Sequence, residues 1–348
     1  MIELTGDGLE FSFPKVHKSA TLTIGFQRTL RIPDDGNDYP LPPGLGRFPL
    51  RHVEDFDSKV PQRWIEQGGI LFPMHQSEAM WICFDSEDDE ERGVSYPFAV
   101  KIATGKVCAV SGETWKNGMH QSPQDYVVVP EQPWLDGYCV EKGVIRQFVA
   151  MPLGAGYSAE EQVTGEAEYG GVQIQAIPMK RDVFEKRFPK GGGRDNGIRY
   201  AMCLEAAPPY PDMGLAPGGR MKQEIYDDPY EPSDWDSTIT SRCFVHIANS
   251  MVWQSITGMP PPSPPPTAKA YTNAGLPWFD WYDDKHKALS GSDTLGGMKS
   301  VVEMGIEKGG VPLPENQSCD PANVTTLKPK LKPGQVREWD DDPCQPNA

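Results

Sequence analysis

The residues of this 348-residue chain best suited to chemistry fall into a few separate groups. Cys243 and His246 stand three apart. On a helix they would share a face, and a Cys-x-x-His pair supplies two ligands to zinc. A structural zinc needs two more, and no second pair stands at matching spacing, so packing on an amphipathic helix is the plainer reading. Asp227, Asp228, Asp234 and Asp236 crowd a stretch that also holds Tyr226, Tyr230 and Trp235. Oxygen-rich loops hold calcium, but the glycine and closing glutamate of an EF-hand are missing. A solvated acidic loop explains them as well, and the same holds for Asp85–Glu91. Cys243, His246, Asp227 and Asp236 are therefore the metal candidates, and no cofactor is expected.

Leu276–Asp284 reads LPWFDWYDD. It sets Trp278, Phe279, Trp281 and Tyr282 among three aspartates. Aromatic rings beside carboxylates bind sugars or cationic groups. The same rings could instead plug one part of the chain onto another, or onto a second copy. Trp134, Asp136, Cys139 and Arg146 lie together upstream. Cys139 would be a nucleophile only with His75 or His120 beside it. Arg146, if buried, needs a carboxylate such as Asp136 or Glu161. For a hydrolase, the candidate acids and bases are Asp228, Asp234, His246 and Asp280.

No catalytic signature supports an enzyme. Lys190–Gly197, KGGGRDNG, lacks the Lys-Ser/Thr ending of a phosphate-binding loop, and LGAGY is too short for a dinucleotide fingerprint. G-x-S-x-G and H-E-x-x-H are absent.

The elements that would carry these groups are short. Val172, Ile174 and Ala176 alternate with Gln173 and Gln175, the period of a half-buried strand. Val144–Met151 reads as a second strand. Similar alternation recurs over residues 9–32, 70–84 and 98–110, the last as a hairpin about Gly105. Ser158 and Glu161 fit a capping box, and residues 178–188 a short helix. Residues 1–205 therefore read as a β-sandwich or barrel-like domain. Residues 206–310 read as a mixed helical and irregular region packed on it, with 206–236 irregular and Thr240–Thr257 one helix. Residues 311–348 read as an extended tail. The expected class is mainly β, α+β overall.

Composition agrees. Gly and Pro number 35 each, which favours many short elements joined by turns. A formal charge of −16 repels phosphate backbones and anionic lipid, so neither nucleic acid nor membrane is an expected partner. No run approaches the length of a membrane span. Seven cysteines at irregular spacing do not form a disulfide framework. With no secretory signal legible at the N-terminus, a cytoplasmic location is expected.

The run PQDYVVVPEQPWLDG (123–137), followed by GVIRQFVAMPLGAGYSAEEQVTGEAEYGGVQI (143–174), resembles a family of uncharacterised microbial proteins. AVKIATGKVCAVSGE (99–113), RCFVHIANSMVWQSITG (242–258) and AGLPWFDWYDD (274–284) resemble the same group. The resemblance implies one integrated architecture and brings no activity with it. The expected role is a non-catalytic structural or interaction protein, associating with itself or with a protein partner. A hydrolase with a cleft between the β domain and residues 226–284, or a carbohydrate-binding module using Trp278, Trp281 and Tyr282, are the alternatives.

Overall fold

Val172–Pro178 is a strand, as its alternation predicts, but the computed structural model sets it inside the sheet with both faces covered. The structure describes residues 1–190, 212–281, 286–311 and 314–327. Phe98–Thr104 pairs antiparallel on one side of this strand and Ser241–Asn249 on the other. Its polar positions therefore do not meet water, contrary to the half-buried expectation. Gln173 donates to the Gly105 carbonyl at 2.6 Å and Gln175 to the Thr240 hydroxyl at 2.8 Å. A strand buried on both faces needs such internal partners for its amides.

The remaining ladders extend this sheet in both directions. Ser241–Asn249 meets Asp212–Lys222, which pairs along its length with Val144–Pro152. Val144–Pro152 touches Ala79–Ser86, and that strand runs antiparallel to Thr21–Thr29. Gly8–Ser12 and Ile2–Thr5 finish that end, and Val127–Val129 flanks Phe98–Thr104 at the other. The sheet curls back on itself, so that residues following Gly8–Ser12 pack on residues at the start of Phe98–Thr104. The Phe13 ring lies 5.9 Å from Phe98, and His17 stacks on Tyr96 at 5.3 Å. The enclosed apolar cluster runs through nearly every strand. The fold is mainly β with short helices added, the expected class.

Several local expectations are corrected. Thr240–Thr257 is not one helix: Ser241–Asn249 is a strand and only Ser250–Thr257 is helical, capped by Asn249. Cys243, Val245 and Ile247 face the main core, while Phe244 and His246 stack with Trp64 on the other side. With both faces covered, the apolar run loses its period of two, and helix and strand become indistinguishable by pattern. Residues 206–236 are not irregular throughout, because Asp212–Lys222 is an eleven-residue strand. The sheet thus continues past residue 205. Ile70–Met74 and Ala79–Ser86 do not pair with each other; the first runs parallel to Ser241–Asn249. Val324–Leu327, in the expected tail, runs parallel to Trp278–Trp281.

Other expectations hold. Ser158 and Glu161 form both bonds of a capping box. Gly105, at φ +55°, makes the turn between Phe98–Thr104 and Val107–Cys108. The sequence over Thr294–Lys308 reads as a weak helix interrupted by Gly296 and Gly297, and it divides there into Asp293–Gly296 and Val301–Glu307. The sequence also reads Tyr200–Leu204 as a strand and Lys190–Gly197 as a linker; the first, and residues 191–197 of the second, lie outside the described residues.

Gln147, fully buried in Val144–Pro152, accepts from the Ile32 backbone N–H at 2.9 Å and donates to the Leu30 carbonyl at 2.9 Å. Its side chain stands in for a strand. Gln147→Leu leaves both backbone groups unpaired, and each such buried group costs ~1–3 kcal/mol. Chemical denaturation of this variant is expected to show a loss of about 2–4 kcal/mol.

Candidate binding site

Trp278–Trp281 is a four-residue strand laid on the outside of the sheet. Leu41 fixes it there. The Leu41 N–H donates to the Phe279 carbonyl at 2.8 Å, and the Phe279 N–H returns to the Leu41 carbonyl at 2.9 Å. Strand alternation then divides the aromatic run in two. Trp278 turns inward, fully buried between Tyr39 and Tyr271, and its indole N–H donates to the Thr272 hydroxyl at 3.0 Å. Phe279 and Trp281 point the other way and stay partly exposed. Tyr282 lies outside the described residues.

Two adjoining clefts open on that second side. The larger is open to solvent and walled by Leu41, Pro42, Trp81, Trp134 and Phe279, with Asp136 among its lining groups. Leu327, from the strand beside Trp278–Trp281, closes one side. The second shares Leu41 and Trp134 and adds Trp281, Gln132 and Glu224. The indoles meet nearly at right angles: Trp81 and Trp134 at 70° and 6.4 Å, Trp134 and Trp281 at 78° and 5.5 Å.

Asp136 is the buried polar group of the larger cleft, 3% exposed. Its carboxylate accepts from the Gln223 side-chain amide nitrogen at 2.6 Å, and the Asp136 backbone N–H donates to the Gln223 side-chain oxygen Oε1 at 3.0 Å. Burial pushes its pKa up to about 7, a rise only partly offset by the bonds from Trp134 and Gln223. Gly137 follows for a steric reason. A Cβ there would stand 2.0 Å from the Arg146 carbonyl, so only glycine lets this strand close on its neighbour beneath the cleft.

The other sequence candidates do not assemble. Cys243 and His246 occupy odd and even positions of a strand and face opposite sides, so they cannot ligate one metal. Burial pushes the Cys243 thiol up to about 12 and the His246 imidazole down to about 4, leaving both neutral. His246 bonds the Gly68 carbonyl at 3.0 Å. Asp228 is a structural acceptor for the Tyr126 hydroxyl at 2.6 Å, the Trp235 indole at 2.8 Å and the Tyr230 N–H at 2.8 Å. Asp234 pairs with Arg187, and Asp227 with Lys287. Asp236 accepts from Thr238 in its own turn at 2.6 Å. Asp280 alternates away from Phe279 and Trp281 on their strand. The hydrolase set Asp228, Asp234, His246 and Asp280 is thus spread over separate elements. Among the described residues no group of three or more His, Cys, Asp or Glu is placed to hold a metal ion.

Cys139 is buried with its thiol pushed up to about 12, chiefly by desolvation. Neither histidine serves it: His75 bonds the Pro262 carbonyl at 2.7 Å, and His120 bonds Asp125 at 2.8 Å. Arg146 pairs with Glu303 at 3.1 Å rather than with Asp136 or Glu161. Trp81, Gln132 and Gln223 were not singled out by sequence. Trp81 sits inside a strand of ordinary alternation, and Gln223 is 87 residues from the aspartate it serves, so no local signal marks either.

No protein family, curated protein or solved structure matches this chain. Among the described residues no helix is long and apolar enough to cross a membrane.

Two buried groups fix opposite pH dependences. The folded-state pKa of Asp136 lies above its unfolded value, so the folded form binds the extra proton and stability falls between about pH 4 and 7. The full shift is worth ~4 kcal/mol at most. Asp136→Asn is expected to remove that loss and to raise the midpoint of unfolding at pH 8 over wild type. His246 has the reverse sign. Its folded pKa lies below the unfolded one, so stability present above pH 6.5 is lost as pH falls toward 4. His246→Gln should flatten the acid limb of a stability–pH curve by ~3 kcal/mol at most.

Proposed function

We propose that this chain is a non-catalytic binding protein of the cytoplasm, and that its ligand or partner enters the aromatic clefts between the sheet and Trp278–Trp281. One observation carries the reading: three indoles and Phe279 wall a continuous concave surface that has a buried carboxyl among its lining groups. Ligand sites are typically of this kind, apolar and aromatic with few, placed polar groups. The scatter of the acidic and histidine candidates over separate elements supports binding over hydrolysis. A second reading, a carbohydrate site, is favoured by the partly exposed Trp134 and Trp281 beside Gln132, Lys222 and Glu224 in the smaller cleft.

A thermal-shift screen of organic cations, oligosaccharides and short peptides tests the proposal. At least one class should raise the midpoint, and Trp134→Ala should cut that rise by more than half while the variant still melts cooperatively. Turnover of any compound, or stabilisation indifferent to Trp134, would overturn it. Light scattering at micromolar concentration, on wild type and on Trp281→Ala, tests the self-associating form of the same reading. Oligomers lost in the variant place a second copy at the cleft.

A further inference from the structure

We infer that the larger cleft is an aromatic cage for an alkylammonium group, with Asp136 as its counter-charge; the inference rests on the binding role proposed above and names the chemistry of the ligand. The elimination runs through the lining. Leu41, Pro42, Trp81, Trp134 and Phe279 offer a hydroxyl-rich ligand little beyond the Trp81 indole N–H, since the Trp134 indole already serves Asp136 and the Asp136 carboxyl already accepts from Gln223. A sugar there would leave most of its hydroxyls unpaired and desolvated, at a cost each. An anion would face the Asp136 carboxyl, inside a protein of net charge −16. A wholly apolar ligand would gain from the rings but leaves the buried carboxyl unexplained.

A quaternary or methylated ammonium meets every condition. Its methyl groups are apolar enough for Leu41 and Pro42, and its charge is attracted by ring faces. Indoles standing at 70° to each other make the corner of such a cage. The acidic surface raises the local concentration of cations. Asp136 supplies the charge that a desolvated cation requires. The strands around the cleft carry further titratable or charged groups, Arg47, Cys83, Asp85, Cys139, Glu141, Arg146, Arg220, Lys222 and Asp280, with Glu224 beside them. None of them is among the causes of the upward displacement of Asp136, which burial dominates. A bound cation adds to the hydrogen bonds this carboxyl already accepts from Trp134 and Gln223 and favours its ionised form.

Titration of wild-type protein by tryptophan fluorescence and calorimetry tests the inference. The probes are tetramethylammonium, choline, its neutral carbon isostere 3,3-dimethylbutanol, and an N-acetyl trimethyllysine amide. Choline should bind at least about tenfold more tightly than the isostere, since only the charge differs. Because a carboxyl titrating at about 7 is ionised at pH 8.5 and protonated at pH 5.5, tetramethylammonium affinity should fall about tenfold or more between those values. Asp136→Asn should remove that pH dependence and weaken binding at pH 8.5. A preference for trimethyllysine over choline assigns the cation to a protein side chain, and the reverse to a small molecule; either supports the cage. Equal binding of choline and its isostere, or affinity flat from pH 5.5 to 8.5, overturns it. Should a neutral oligosaccharide bind through Trp134 while no cation does, the cage fails and the binding role survives. If no probe binds, the cage fails.

Discussion

Buried glutamine amides hold this architecture together where strand pairing stops. Residues 223–228 leave the sheet after Asp212–Lys222, and their backbone groups need partners inside the protein. Gln132 donates to the Trp134 and Glu224 carbonyls and accepts from the Tyr226 N–H. Gln124 donates to the Tyr126 and Tyr226 carbonyls and accepts from the Asp228 N–H. Gln223 closes the set on Asp136. Each amide offers donor and acceptor at once, as a peptide group does. Three side chains thus do the work of a missing strand, and both clefts are built on the ground they fix.

The curl of the sheet explains why polar residues recur in the interior. Inner strands of the curled sheet have no solvent face, and their polar side chains must pair inside. Arg28 and Glu78, both nearly unexposed, pair at 2.6 Å. Lys101 donates to the Lys116 and Gly118 carbonyls and to Asp125 at 2.6, 2.9 and 2.5 Å, using all three of its hydrogens. Such pairs gain little net stability against apolar replacements, but losing one partner strands a charge. They therefore fix which loops lie where. Lys101 pins the loop after Val107–Cys108, and Arg28 reaches the Ser263 carbonyl of the proline run.

Sequence carried the fold class and part of the site. Phe279 and Trp281 were legible because they alternate with Trp278 and Asp280 in a run too aromatic for a surface loop. Asp136 was noticed only as a possible counter-ion for Arg146, since its neighbours in space come from residues far along the chain. The Cys243–His246 pairing depended on one point, the reading of Thr240–Thr257 as a helix. A strand covered on both faces gives the same apolar pattern as a buried helix, and the change put Cys243 and His246 on opposite sides. Gln124, Gln132 and Gln223 left no trace in any pattern, because a stitching amide is defined by what it reaches and not by its neighbours in sequence.

The proline run Pro260–Pro266 has a consequence of its own. Its Pro262 and Ser263 carbonyls accept from His75 and Arg28, yet six of its seven residues have no N–H to give. A backbone that can only accept is useless as a template for another chain's β-strand. The stretch that Arg28 and His75 hold is therefore closed to strand addition by a neighbouring molecule, in a protein that is mainly β.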